Sequence, residues 1–140
     1  MLNIQSNISL LPYNTFQIDA KAKYFVEIST IEELQELFAT EIFKQEKKLI
    51  LGGGANVLFT GDVEGLVIRM GIKGKKVENK KGNQIFVRVA AGENWSDFVE
   101  YANEQERAGI ENLIAIPGSV GAAPVSNIGA YGMEIGNRVV

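Results

Sequence analysis

Three consecutive glycines follow directly after a short apolar run, and they constrain this chain more than any other feature. Lys48-Leu49-Ile50-Leu51 predicts a buried strand, and Gly52, Gly53 and Gly54 come next. Glycine permits positive φ angles and places no side chain in the way. Consecutive backbone N–H groups can then converge on an anion such as a diphosphate. A tight turn between two strands is the alternative interpretation.

The residues after the glycines narrow the type of loop. Ala55, Asn56 and Val57 complete the candidate anion site, since Asn56 tolerates left-handed φ and offers an amide for hydrogen bonding. The spacing is not Gly-x-Gly-x-x-Gly, because Val57 takes the last position. It is also not a Walker loop, because no Lys-Ser or Lys-Thr pair follows.

A second candidate segment, residues 116–132, is made of small residues and carries no formal charge. Surface loops are usually more polar, and small residues allow a flat ligand to lie on the main chain. Ser119 and Tyr131 would add hydroxyl partners, although a close-packed turn in the core is equally compatible with this composition. Two such segments, one in each half of the chain, indicate a protein that holds an extended nucleotide-like cofactor.

Composition excludes several classes of protein. The chain has 140 residues, a length typical of roughly one domain, with ordinary globular apolar and charged fractions of 46% and 22%. A net charge of −3 argues against nucleic acid as the main partner. No cysteine or histidine is present, which excludes disulfides, thiolate zinc sites and histidine-based catalysis. No signal peptide or membrane span is recognisable, so we expect a cytoplasmic protein without a membrane partner.

The first half of the chain predicts a strand, a helix and a strand. Residues 24–28 form the first strand, and Thr30 with Glu33 fits a capping box. Apolar residues then recur at helical spacing, at Ile31, Leu34, Leu37, Phe38 and Ile42. This order favours a parallel pairing of the two strands with a right-handed crossover, and residues 65–69 form a further predicted strand.

The second half predicts a hairpin and another helix. Five lysines between Lys73 and Lys81 are typical of a solvated turn, with a phosphate-binding patch as the alternative. A strand at residues 85–90 precedes a helix capped by Asn94, whose Trp95 and Phe98 have core spacing rather than the character of a cofactor box. The resulting class is α+β, with lobes at residues 1–70 and 71–140.

Six ordered motifs give the chain a resemblance to the UDP-N-acetylenolpyruvoylglucosamine reductase family. Each motif is modest alone, but the ordered set with matching intervals is highly specific. The motifs are Asn14-Thr15-Phe16, Gly52–Leu58, Ala91–Trp95, Asn112-Leu113, Ile116–Gly121 and Asn127–Gly132.

This resemblance implies a fold and an activity. The fold would be the two-lobed FAD-binding module of the vanillyl-alcohol oxidase (PCMH) type, truncated at its C-terminus. The family is a flavoprotein oxidoreductase of peptidoglycan precursor synthesis, and hence of cell wall biogenesis, cell shape and cell division. NADPH gives a hydride to FAD, and the enolpyruvyl substrate then receives one to become UDP-N-acetylmuramate. The family's catalytic Arg, Ser and Glu have no matching positions up to Val140. We therefore expect this chain to be an N-terminal piece that lacks the substrate-binding domain and is inactive alone. The full-length protein would be a monomer.

The resemblance also assigns cofactor-binding residues and leaves other readings open. FAD would be held by Gly52, Gly53, Gly54, Ala55, Asn56, Val57, Pro117, Gly118, Ser119, Gly121, Ala122, Ala123, Ile128, Gly129 and Tyr131. No metal site is expected. One alternative is a non-catalytic flavin- or nucleotide-binding module of the same fold. Another is a purely structural domain in which both glycine-rich segments are turns. Val139-Val140 would begin a further strand.

Overall fold

The computed structural model describes residues 2–140 and has the α+β composition that the sequence predicts. The chain divides into two compact units, Met1–Ile72 and Lys73–Val140, which we call unit 1 and unit 2. Within the described residues, no helix is both long and apolar enough to cross a membrane.

Unit 1 is built on a four-stranded sheet. Its strands are β1 (Gln5–Ser9), β2 (Lys21–Ile28), β3 (Lys48–Leu51) and β4 (Val63–Met70). Their order is β1-β2-β4-β3, with β1 antiparallel to β2 and the other three strands parallel. The predicted parallel direction of β2 and β3 is confirmed, but the predicted pairing between them is wrong, because β4 lies between these two strands. Leu66, Val67 and Ile68 in succession are buried in β4, as expected of a central strand covered on both faces.

The predicted strand at Lys48–Leu51 is confirmed, but the expectation that it is buried throughout is wrong. Leu51 is 1% exposed, but Ile50 is 70% exposed. The reason is position, because β3 forms the edge of the sheet and the adjacent helices do not cover Ile50. Only the Leu49 and Leu51 face of β3 joins a hydrophobic core.

Two helices replace the single predicted helix. These are α1 (Ile31–Ala39) and α2 (Glu41–Gln45), separated by Thr40 in an extended conformation. The predicted cap is confirmed, since Thr30 Oγ1 accepts the Glu33 N–H at 3.1 Å. Thr40 interrupts the helix because its own hydroxyl caps α2, accepting the Phe43 N–H at 3.1 Å. Ile31 and Phe38 of the predicted buried stripe are exposed, whereas Leu37 is fully buried.

The N-terminal loop of unit 1 is held by one buried amide. Asn14 is 7% exposed, and its Nδ2 donates to the carbonyl oxygens of Leu10 and Ile18 at 2.8 and 2.9 Å. Its Oδ1 accepts the Ile18 N–H at 3.0 Å. This side chain closes the loop around Leu10, which packs in one core with Phe25 and Val67 of the sheet. The loop therefore has a defined conformation at Tyr13 and Thr15.

Unit 2 contains a hairpin, a helix and a series of turns. The hairpin strands are β5 (Lys75–Lys81) and β6 (Gln84–Val89), and the helix is α3 (Trp95–Glu104). A short second hairpin pairs β7 (Gly129–Ala130) with β8 (Met133–Glu134). Asn94 caps α3 as predicted, with Oδ1 accepting the Asp97 N–H at 3.2 Å. Trp95 is buried in the core, and its Nε1 donates to the Leu113 carbonyl at 2.8 Å.

The expected strand at the end of the chain is not present. Residues 139–140 have no strand pairing and are exposed, because the backbone before them turns through a 3-10 helix at Ile135–Asn137. The Val139 N–H donates to the Ile135 carbonyl at 3.2 Å instead of to a neighbouring strand.

Replacing Asn14 with Ala tests how strongly this amide holds the loop. We expect Asn14→Ala to lower the free energy of unfolding by about 3 kcal/mol, because three hydrogen bonds are lost and their backbone partners stay partly buried. Urea unfolding measures the change, and Asn3→Ala, which removes an exposed amide, is the control. Equal effects of the two substitutions would contradict the assigned role.

Candidate functional site

The first glycine loop lies at the carboxyl end of β3, and its conformation depends on one of its glycines. Gly54 has φ +67°, and a Cβ there would lie 2.0 Å from the Tyr13 carbonyl oxygen. Within the described chain, Gly52, Gly53 and Asn56 do not have positive φ, so Gly54 is the one residue of this loop that uses the left-handed conformation. Close packing against Tyr13 is what requires glycine at position 54.

Thr15 orients the peptide groups of this loop. Its N–H donates to the Gly54 carbonyl at 3.1 Å, and its Oγ1 donates to the Ala55 carbonyl at 3.3 Å. The C=O and N–H of one peptide group point in opposite directions. The N–H groups of Ala55 and Asn56, which belong to the same two peptide groups, therefore point away from Thr15.

The loop presents a series of free donors. Across residues 2–140, no hydrogen-bond acceptor is found for the backbone N–H groups of Gly52, Gly53, Gly54, Ala55 and Asn56. The Asn56 side chain is exposed and has no partner in the same range, whereas Val57 packs against the core. Successive unpaired N–H groups form a local positive potential that suits an anion.

The second candidate segment of the sequence begins beside α3, in unit 2. Residues 118–121 run antiparallel to residues 91–95 and pair at an isolated bridge between Asn94 and Ser119. The Val120 N–H donates to the Glu93 carbonyl and the Gly121 N–H to the Ala91 carbonyl, both at 2.9 Å. A Cβ at Gly121 would lie 2.6 Å from the Ala91 Cβ, so glycine is required here for close packing.

Ser119 is the one buried hydroxyl of this segment, and it lacks a partner. Ser119 is 6% exposed, and its Oγ has no hydrogen-bond partner in the described part of the chain. The N–H groups of Gly118 and Ser119 likewise have no acceptor within residues 2–140. Gly118 has φ +135° and open space where a Cβ would be. A buried polar group without a partner is costly unless a ligand satisfies it.

The small residues that follow contribute shape rather than donors. The N–H groups of Ala122 and Ala123 donate to the Ser119 carbonyl, and that of Ile128 donates to the Ala123 carbonyl. Ala123 is itself buried in the core of unit 2. Pro117 and Gly129 are exposed, beyond either end of this turn.

Tyr131 stands at the tip of the hairpin between β7 and β8. Tyr131 and Gly132 form the two-residue turn with φ +52° and +77°, a combination that favours Asn-Gly over tyrosine. The Tyr131 side chain is 90% exposed, so core packing does not account for its presence. A contact between Tyr131 and a ligand stays a prediction.

Glu93 is a buried carboxylate that the sequence analysis did not single out. Its side chain accepts the Gly74 N–H at 2.8 Å and the Lys75 ammonium at 3.1 Å, while its carbonyl holds Val120. Burial raises the pKa of Glu93, but the hydrogen bonds from the Gly74 N–H and Lys75 together lower it by more. The pKa therefore lies below its ordinary value of 4.5. Glu93 thus connects the start of β5 to the Ser119 segment. Its place in the Ala91–Trp95 motif, directly before the helix cap, was the sequence signal, but nothing in the sequence indicated its partners Gly74 and Lys75.

The charge of Glu93 predicts a specific dependence of stability on pH. At pH 7, Glu93→Gln should lower the stability by about 1–2 kcal/mol, because the charged hydrogen bonds are weakened. A carboxyl with a lowered pKa stabilises the fold above its unfolded pKa and loses this contribution as the pH falls through its folded pKa. The difference between wild type and Glu93→Gln should therefore shrink when unfolding is measured at about pH 3.5.

The control for this measurement is Glu104→Gln, which removes an exposed carboxylate of the same unit. Other carboxylates titrate in both proteins and cancel in the difference. A difference that persists at low pH would show that the shape of Glu93, rather than its charge, stabilises unit 2.

Known proteins similar to this chain share one enzyme name. The chain is 47% identical over 139 residues to UDP-N-acetylenolpyruvoylglucosamine reductase of Flavobacterium johnsoniae, covering 99% of this chain and 41% of the relative. It is 44% identical over 134 residues to the Pseudomonas fluorescens enzyme of that name, covering 96% and 40%. The chain thus spans about two fifths of the length of these curated relatives. The resemblance carried by the six motifs is confirmed.

A solved structure and a family model agree on the fold. The crystal structure of UDP-N-acetylenolpyruvylglucosamine reductase from Thermus caldophilus superposes with a TM-score of 0.72 at 24% identity, covering 96% of this chain and 46% of that chain. This likeness confirms the predicted fold class. A family model described as FAD binding domain matches residues 22–139, which is most of the chain. The chain belongs to the FAD binding domain family, whose cofactor is FAD.

Proposed function

We propose that this chain is the FAD-binding part of a reductase that converts UDP-N-acetylenolpyruvoylglucosamine to UDP-N-acetylmuramate with NADPH. The observation that carries the proposal is the run of free N–H groups from Gly52 to Asn56 in a member of an FAD-binding family. The relatives' names support the choice of substrate. The same proposal places the full-length enzyme in the cytoplasm, as a monomer that takes part in peptidoglycan precursor synthesis.

The first loop is suited to the diphosphate of FAD. The five N–H groups from Gly52 to Asn56 have no acceptor within residues 2–140. Gly53 and Asn56 are exposed and Gly52 and Ala55 are half-buried, whereas Gly54 is buried. The Asn56 amide offers further donors, while Val57 anchors the end of the loop in the core. Backbone donors of this kind hold a diphosphate without a cationic side chain.

The second segment is suited to further polar groups of the cofactor. The Ser119 hydroxyl and the N–H groups of Gly118 and Ser119 are the available donors. Gly121 and Ala122 keep the adjacent surface low, as a flat ring would require, and Ala123 supports this surface from the core of unit 2. Pro117, Ile128, Gly129 and Tyr131 complete the proposed contacts.

These contacts distinguish the chemical role of the cofactor from the role of the protein. FAD, when bound, supplies the hydride-transfer chemistry between the nicotinamide and the enolpyruvyl group. The residues of this chain bind and orient the cofactor through backbone N–H groups and the Ser119 hydroxyl. None of the proposed contact residues carries a formal charge, and the role that we assign to them is positioning of the cofactor.

Titration with FAD, followed by flavin fluorescence and melting temperature together, tests the proposal. Saturable binding with a higher melting temperature is expected, because a ligand that binds the folded state stabilises it. In the same assay Gly53→Val should abolish binding with little loss of melting temperature, since Gly53 is exposed and its side chain would cover the N–H groups.

Gly61→Val is the matched control, because Gly61 has open space around its Cβ position and lies in the same unit. This variant should bind FAD like the wild type. A folded wild-type chain that binds no FAD would overturn the proposal. Equal losses of binding and stability in Gly53→Val would overturn the role of the first loop.

Tyr131→Phe tests the proposed contact at the hairpin tip. The substitution keeps the ring and removes the hydroxyl, so a change in flavin affinity or fluorescence is expected if the hydroxyl contacts the ligand. Tyr101→Phe is the control, since the Tyr101 ring lies in unit 2 against the Lys75 and Arg107 cations. A titration of Tyr131→Phe identical to that of the wild type would remove Tyr131 from the site.

A further inference from the structure

Three residues form a row across unit 1 immediately before the first glycine loop. Arg69 of β4 is the register partner of Glu27 in β2 and of Leu51 in β3. Because these strands are parallel, their carboxyl ends meet at one edge of the sheet. Leu51 is followed directly by Gly52, so Arg69 belongs to the same edge as the free N–H groups.

Arg69 is the only cationic side chain at this edge in the described part of unit 1. Lys21 and Lys23 lie at the amino end of β2, and Lys47 and Lys48 lie at the amino end of β3. Lys44 is in α2 and pairs with Glu41. Any positive side-chain charge that unit 1 provides near the loop must therefore come from Arg69.

Tyr13 connects Arg69 to the loop physically. The Arg69 guanidinium lies 5.1 Å from the centre of the Tyr13 ring, whose other contact is stacking on Phe25 at 4.6 Å. The carbonyl of the same Tyr13 packs against Gly54 so closely that no Cβ fits there. One residue thus supports both the cation and the loop.

The Arg69 guanidinium has N–H donors that no acceptor in the described residues engages. Its Nη1 donates to Glu27 Oε2 at 2.9 Å, and its Nε and Nη2 have no acceptor within residues 2–140. Both side chains of the pair are partly exposed, at 38% and 43%. A guanidinium binds carboxylate and phosphate in similar forked geometries, so a phosphate competes with Glu27 for it.

We infer that Arg69 is a phosphate-recognition residue that supplies positive charge to the anion bound at Gly52–Asn56, and that Glu27 competes with this anion. The inference rests on the proposed function, because it takes the diphosphate of FAD as the anion. Arg69 thereby favours a diphosphate-bearing flavin over one without phosphate. Glu27 neutralises Arg69 when the loop holds no anion.

Substitution of each partner of the ion pair distinguishes this role from a structural one. Arg69→Gln should raise the dissociation constant for FAD by about fivefold or more, the effect of losing one charge-assisted interaction. Glu27→Gln breaks the same ion pair but should tighten FAD binding, because it frees the guanidinium. A merely structural ion pair would give changes in the same direction for both variants.

Lys23→Gln is the matched control, since it makes the same change in net charge and also breaks an ion pair of unit 1, that with Glu46. Lys23→Gln should change the FAD affinity less than twofold. The melting temperature of each variant shows whether it is folded. The inference would be overturned by weaker binding in both Arg69→Gln and Glu27→Gln. It would also be overturned if Arg69→Gln had no larger effect than Lys23→Gln. Either result would leave the proposed function standing. A folded wild type that does not bind FAD would overturn the proposed function together with the inference.

Discussion

The hydrogen bonds from Thr15 to the Gly54 and Ala55 carbonyls determine what the first glycine loop can do. A run of glycines has no intrinsic preference for one orientation of its peptide groups. Thr15 removes this freedom by engaging two consecutive carbonyl oxygens, at 3.1 Å through its N–H and 3.3 Å through its hydroxyl. The N–H groups of the same peptides are then directed the other way. Asn14, with its three hydrogen bonds, fixes the loop from which Thr15 acts.

Unit 2 leaves its donors free by a related arrangement. Here the Ala91 and Glu93 carbonyls engage the N–H groups of Gly121 and Val120, which fixes the strand-like segment around Ser119. The N–H groups of the two preceding residues, Gly118 and Ser119, are not used by this pairing. In both units a neighbouring segment satisfies part of the backbone and leaves a defined set of donors. Most of the donors that each unit leaves free are therefore backbone N–H groups, which explains why many of the residues that carry them are small.

The sequence predicted those features that depend on neighbouring residues. The caps at Thr30 and Asn94, the core role of Trp95 and the two glycine-rich segments are all local patterns, and the structure contains each of them. Features set by distant contacts were not accessible. The insertion of β4 between β2 and β3, the exposure of Ile50 and the Glu93 contacts with Gly74 depend on pairings between residues far apart in the chain. The break between α1 and α2 at Thr40 was not predicted, because the apolar spacing continues across it. The Thr40 hydroxyl accepts the Phe43 N–H and so begins a second helix.

Glycine content alone does not separate binding from packing. Gly54 and Gly121 are required because a Cβ would collide with Tyr13 and Ala91, whatever the protein binds. A purely structural domain would need these two glycines just as much. Ser119 is different, because its hydroxyl is buried and satisfies no group in residues 2–140. An alanine there would remove an unpaired polar atom and favour the fold. The unpaired Ser119 hydroxyl therefore supports the proposed contact with a ligand more than the glycines do.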